Sequence, residues 1–83
     1  MPRLRQLSGS DLLRIFAAFG FRVLSTRGSH VKLRRALTDG ERQTLTVPLH
    51  KELAPGTLYA IYRQALRYLP EVELKPWFFH RER

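Results

Sequence analysis

The stretch Arg27-Gly28-Ser29-His30-Val31-Lys32-Leu33-Arg34-Arg35 decides the fold of this chain. Gly28-Ser29 fits a two-residue hairpin turn, with glycine at the first central position, where a positive φ is needed. From His30 the residues alternate: Val31 and Leu33 face one way, while His30, Lys32 and Arg34 face the other. A sheet with one apolar and one cationic face follows. Histidine moves protons near neutral pH, and lysine and arginine hold phosphate. Such a hairpin carries the groups needed to break RNA, and equally those needed only to bind it.

Outward from the hairpin, the chain reads α-β-β-β-α. Ser8 and Asp11 have capping-box spacing, with Leu7 and Leu12 placed as a hydrophobic staple. Leu12, Ile15, Phe16 and Phe19 recur at helical spacing, and Gly20 is a natural stop, so the first helix is expected from Gly9 to Phe19. Phe21 to Arg27 reads as the first strand, His30 to about Arg35 as the second and Gln43 to about Leu49 as the third. In the third, Leu45, Val47 and Leu49 face inward, and Pro48 marks an edge strand. Pro55 opens the second helix and Pro70 ends it; Leu58, Ile61, Tyr62, Ala65, Leu66 and Leu69 form its buried face. Arg63 and Arg67, four apart, form a basic ridge outside. The fold class is therefore α+β: a three-stranded antiparallel sheet with two helices on one face.

The apolar faces restrict the pairing of the second and third strands. Facing residues in an antiparallel pair have a constant sum of numbers. Keeping Val31 and Leu33 on the side of Val47 and Leu49 makes that sum even, about 78, 80 or 82. At about 80, His30 faces His50; at the other two, His50 is a diagonal neighbour on the same face, provided the strand stays regular past Pro48. The first strand is open to two readings. A strict two-residue turn pairs Leu24 with Leu33 and leaves Phe21 and Val23 on the polar face, whereas a bulge near Gly28 reverses this.

With 83 residues the chain makes one small domain. It has no cysteine, hence no disulfides or thiolate chemistry, and three scattered histidines make a poor zinc site. No signal-peptide core or membrane-length apolar run is present, so the expected compartment is the cytoplasm. The formal charge is +8. Residues 70–83 hold three basic and three acidic residues, so the excess sits in residues 1–69, twelve basic against four acidic. A polyanionic partner is implied: nucleic acid, an acidic protein, or both. Arginine outnumbers lysine twelve to three, which suits bidentate phosphate contact and equally reflects genomic base composition.

Gly28-Ser29-His30, Thr46-Val47-Pro48-Leu49-His50 and Lys51-Glu52-Leu53-Ala54-Pro55-Gly56-Thr57-Leu58, with Gly20-Phe21 before them, resemble the HicA toxins of HicA–HicB toxin–antitoxin systems. The resemblance covers about residues 7–69, and its motifs stand in the family's order and spacing. It implies a double-stranded-RNA-binding-like fold and an mRNA-cleaving toxin neutralised by a HicB antitoxin. It also implies that His30, in the Gly-Ser-His motif, is catalytic. The chain departs from the family in a longer turn from Ala36 to Arg42. It also has an extension, residues 70–83, that packs on the core or on a partner. Within that extension Val72 and Leu74 alternate weakly before Trp77-Phe78-Phe79, an aromatic triplet suited to covering a core, meeting a protein or stacking bases.

Each candidate has a plainer alternative. His30 is a general base for an RNA 2′-OH, or a solvated histidine beside a turn. His50 is the acid for the leaving oxygen, or a strand-end histidine with a structural or RNA-contact role. Arg27, Lys32 and Arg34 grip phosphate, or form a soluble sheet face. Gly28 and Ser29 shape the turn at the RNA surface; Ser29 has no visible relay that would make it a nucleophile. Arg63 and Arg67 track the RNA backbone or meet antitoxin acids. The function expected is a metal-independent, cofactor-free endoribonuclease acting on single-stranded RNA. The alternative is a non-catalytic RNA-binding module on the same fold.

Overall fold

A computed structural model describes residues 3–80. The elements are α1 (Gly9–Ala18), β1 (Arg22–Arg27), β2 (His30–Ala36), β3 (Arg42–Pro48), α2 (Pro55–Ala65) and α3 (Glu71–Phe78). The strands form one antiparallel sheet in the order β1-β2-β3, so the α-β-β-β-α order and the α+β class hold. No helix among the described residues is long and apolar enough to cross a membrane.

The start of α1 follows from its cap. The Asp11 amide donates to Ser8 Oγ at 3.0 Å, and the Ser8 amide donates to Asp11 Oδ2 at 2.9 Å. These bonds to Ser8 hold the Asp11 carboxyl below its ordinary range. Leu7, Leu12, Ile15 and Phe16 are buried, and Phe19 is partly so. Pro55 stands in the first turn of α2, where its missing N–H costs nothing.

The register of β2 on β3 is the lowest of the permitted even sums: His30 faces Pro48, Val31 faces Val47 and Leu33 faces Leu45. Val31, Leu33, Leu45 and Val47 are all buried. Each such side chain contributes about 1.5–3 kcal/mol when removed from water. A slip of β2 by one residue would expose Val31 and Leu33, strip Leu45 and Val47 of their partners, and press His30, Lys32 and Arg34 into the core.

The strict turn at Gly28-Ser29 holds, with Arg27 facing His30 and Thr26 facing Val31. The irregularity lies between Val23 and Ser25, so Val23, not Leu24, faces Leu33. The extra residue moves Val23 to the apolar side and lets Phe21 turn inward, 2% exposed. Leu49 was expected inward and is exposed, because β3 ends at Pro48. The second helix ends at Ala65, ahead of Pro70, and turns carry the chain onward. The weak alternation of Val72 and Leu74 belongs to a helix, α3. Leu74 and Phe78 enter the core, Val72 stays exposed, and Pro76 falls inside the helix.

The aromatic triplet divides its roles. Phe78 packs on Tyr62, with ring centroids 5.2 Å apart, and on Phe16. Phe79 meets Tyr59 and Tyr62, and Trp77 lies at the surface edge-on to Phe19. The N-terminal segment runs beside this helix end: Leu4 bridges to Phe79, and the Arg5 amide donates to the Phe78 carbonyl at 2.8 Å. Arg35, at the inward end of β2, donates to Gln43 Oε1 at 2.9 Å and to the Phe19 carbonyl at 3.0 Å. Its guanidinium also lies 5.1 Å from the Phe21 ring centroid. One arginine thus ties α1, the start of β1 and the far end of the hairpin together.

The Tyr62 hydroxyl donates to Glu71 Oε2 at 2.9 Å and joins α2 to α3. Burial, and then the bond to Glu71, push the phenol up to about 12. Because the folded value lies above the ordinary 10.0, this contribution to stability is complete below pH 10.0 and is lost as pH rises through about 12. An absorbance titration should find one tyrosine ionising last, and Tyr62→Phe should lose less stability than the parent over that interval. Ionisation of all tyrosines together near 10.0 in a folded chain would contradict it.

Candidate functional site

Strand register arranges the solvent face of the sheet into rows. Arg27, His30 and Pro48 form one row; Ser25, Lys32 and Thr46 form the next; Arg22, Arg34 and Thr44 form the third. Ala36 and Arg42 extend the same face. Five Arg and Lys side chains therefore share this face with one histidine. No strand contains Asp or Glu. Among the described residues no carboxylate pairs with these cations; Arg14 pairs with Asp11 on α1 instead. Electrostatically the face suits a chain of phosphates.

His30, Lys32 and Arg27 are exposed and Arg34 is half-buried. Arg34 Nε is buried, and among the described residues it has no acceptor. A buried donor without an acceptor carries a desolvation cost of about 1–3 kcal/mol, which an anion set against the guanidinium would relieve. Arg22 and Arg42 were not among the residues expected here. The first strand's two possible registers hide Arg22 from a reading of the sequence alone, and the turn spacing from Ala36 places Arg42 outside a strand.

The hairpin tip is pinned to the end of β3. Gly28 has a φ of +58°, and a Cβ there would meet nothing within 4 Å. The Ser29 carbonyl accepts from the Leu49 amide. The His50 carbonyl accepts from the Gly9 amide at 2.8 Å, so the chain after Pro48 bends toward the start of α1. His50 is thus exposed at the same end of the sheet as His30 but stands outside the strand rows. The cross-strand pairing of the two histidines does not occur. Pro48 takes that position, because the register is the lowest sum and the strand stops there.

Arg63 is exposed on α2, whereas Arg67 lies in the turns beyond it, so they do not share one helical ridge. Between them Gln64 has a role that was not anticipated. Its Oε1 accepts from the Thr46 amide at 3.0 Å, and its Nε2 donates to the Thr46 carbonyl at 3.4 Å. A side-chain amide thereby bonds to the outer edge of β3 at Thr46 as a neighbouring strand would. No spacing rule marks such a glutamine, since its partner is backbone. No group of three or more His, Cys, Asp or Glu among the described residues could hold a metal ion.

The chain matches the family model for the HicA toxin of bacterial toxin–antitoxin systems over residues 9–66. The match takes in α1, the whole sheet and α2, and leaves the N-terminal segment and α3 outside. It spans well over half of the 83 residues, so the chain belongs to the HicA toxin family. No curated protein and no solved structure matches the chain.

The approach of α1 to this end of the sheet depends on Gly9. A Cβ there would overlap the Pro48 carbonyl and come within 2.7 Å of the Leu49 Cα. Gly9→Ala should lower stability by about 1–3 kcal/mol in urea unfolding, despite the better helix propensity of alanine. It should also shift the amide resonances of residues 49–50. An unchanged unfolding midpoint with unmoved resonances would show that this contact does not hold the site.

Proposed function

We propose that this HicA-family toxin is an endoribonuclease that cleaves mRNA without a metal, with His30 as general base. The supporting observation is the position of His30: exposed at a hairpin tip, directly across from Arg27, on a cationic face whose strands hold no carboxylate. Single-stranded RNA lies along this face. Arg27, Lys32 and Arg34 hold phosphates, with Arg22 and Arg42 extending the track. Gly28 and Ser29 keep the tip narrow enough for the RNA to pass close to the imidazole. Arg63 and Arg67 contact more distant backbone.

His30 removes the proton from a 2′-OH, whose oxygen attacks the adjacent phosphorus. The bond from phosphorus to the 5′ oxygen breaks, and that oxygen takes a proton from an acid. Arg34, with its unsatisfied Nε, stabilises the charge that builds on the phosphoryl oxygens. The product is a 2′,3′-cyclic phosphate, which water opens to a 3′-phosphate. His50, at the same end of the sheet, is the candidate acid; water is the alternative donor. Translation in the cytoplasm stops as mRNA is cut, and a HicB-like antitoxin restrains the toxin until then. The family membership supports the toxin role.

The strand rows contain one proton carrier, and this favours the competing reading of a non-catalytic RNA-binding module. Labelled RNA incubated in EDTA with the protein and with His30→Ala separates the two. General-base loss should slow cleavage by about 10²–10⁴-fold while the circular dichroism spectrum is kept. Equal decay with both proteins would remove His30 from the reaction. Binding without cleavage by either would establish the module. In the same assay Lys32→Ala should weaken RNA binding and reduce the salt slope by about one.

A further inference from the structure

The two edges of the sheet are treated differently. The outer edge of β3 is capped at its middle by Gln64, which bonds to both the amide and the carbonyl of Thr46. The outer edge of β1 has no such cover. None of its six residues is buried, and among the described residues no helix or loop hydrogen-bonds to it. Val23 is 57% exposed and Leu24 45% exposed. An open, partly apolar edge strand is a template for another strand, and soluble proteins ordinarily block one. Beneath β1 runs a groove floored by Leu13, Ala17, Phe21 and Leu33, with Arg14 and Arg22 at its rim.

Charge decides what fits there. β1 begins with Arg22, ends with Arg27 and has no acidic residue. A second copy pairing antiparallel over the full strand would set Arg22 of each chain against Arg27 of the other. Like charges directly opposed across strands are destabilising, and each chain already carries +8. RNA brings the right charge but neither a β-ladder nor side chains for the apolar groove. We infer that β1 is the docking edge for an extended acidic segment of a partner protein, which adds to the sheet as a fourth strand. Alternate residues of that segment are apolar and cover Val23 and the groove beside α1. The others are carboxylates that face Arg22 and Arg27.

This placement gives the partner a means of inhibition. Arg27 faces His30 directly, so a carboxylate beside Arg27 lies one strand from the histidine, on the face that would hold RNA. It competes with phosphate for the same cation and leaves the core of the toxin undisturbed. The inhibitory consequence rests on the ribonuclease reading above; the docking itself does not.

The probes are a synthetic peptide of about ten residues alternating Glu with Val, a peptide alternating Lys with Val, and a short RNA oligonucleotide. Each is added to the full chain while amide exchange and amide resonances of residues 22–27 are followed. At about ten times its Kd the Glu peptide should slow exchange at the β1 edge about tenfold. The Lys peptide should do nothing. Val23→Asp, at an exposed site off the cationic face, should abolish the protection and keep RNA cleavage at the parent rate. The inference is overturned if the Glu peptide protects other elements and leaves β1 bare. It is overturned equally if Val23→Asp binds as well as the parent, if the RNA slows amide exchange along the β1 edge rather than only shifting the Arg22 and Arg27 resonances it contacts, or if the protein dimerises in sedimentation and Val23→Asp prevents this. Peptide protection of β1 with no cleavage by the parent would uphold the docking edge and reject the ribonuclease reading. His30-dependent cleavage with β1 unprotected by the peptide would do the reverse.

Discussion

The pairing of Val31 and Leu33 with Val47 and Leu45 is the constraint from which the rest of this molecule follows. These four buried side chains fix the parity of the hairpin, and parity decides what the opposite face carries. Because the period of a strand is two, burying the odd residues of β2 leaves His30, Lys32 and Arg34 no position but the solvent face. β1 and β3 then add Arg22, Arg27 and Arg42 to the same surface. The cationic face is thus a by-product of core packing, and a single register would defend both stability and function.

The helical side of the sheet serves to hold that hairpin end in place. Gly9 lets α1 touch the backbone after Pro48, and the Gly9 amide takes up the His50 carbonyl. Arg35 joins α1 to the other end of β2 through the Phe19 carbonyl and Gln43. Outside the span shared with the HicA family, the N-terminal segment and α3 pair through Leu4 and Phe79. Phe78 fills the core between Phe16 and Tyr62. These additions thicken the helical layer, on the side of the sheet opposite His30.

What the sequence made legible was whatever depends on local chemistry. The Ser8–Asp11 cap, the Gly28-Ser29 turn, Pro48 at an edge and Pro55 at a helix start each combine a residue type with a fixed offset. Strand alternation gave the even sum and most of the polar face. Features set by tertiary contact were not legible. The irregularity at Leu24 depends on whether Phe21 finds Phe16 and Tyr68, which no local pattern encodes. α3 escaped because Pro76 argues against a helix, yet in eight residues it forfeits a single hydrogen bond, and burial of Leu74 and Phe78 outweighs that loss. The expected meeting of His30 and His50 assumed a strand continuing past Pro48. The backbone bends there, because the amides of Leu49 and Gly9 find acceptors at Ser29 and His50.

The proposed general base at His30 acts on a 2′-OH of the RNA, and the cut ends record that chemistry. The most direct measurement is the identity of the new RNA ends, read by mass spectrometry after cleavage in EDTA. A second substrate carries a single 2′-deoxynucleotide on the 5′ side of the cut. The expected ends are a 2′,3′-cyclic phosphate or 3′-phosphate on the upstream fragment and a 5′-hydroxyl on the downstream one, with no cut at the deoxy position. A 5′-phosphate with a 3′-hydroxyl, or unchanged cutting at the deoxy position, would contradict this chemistry.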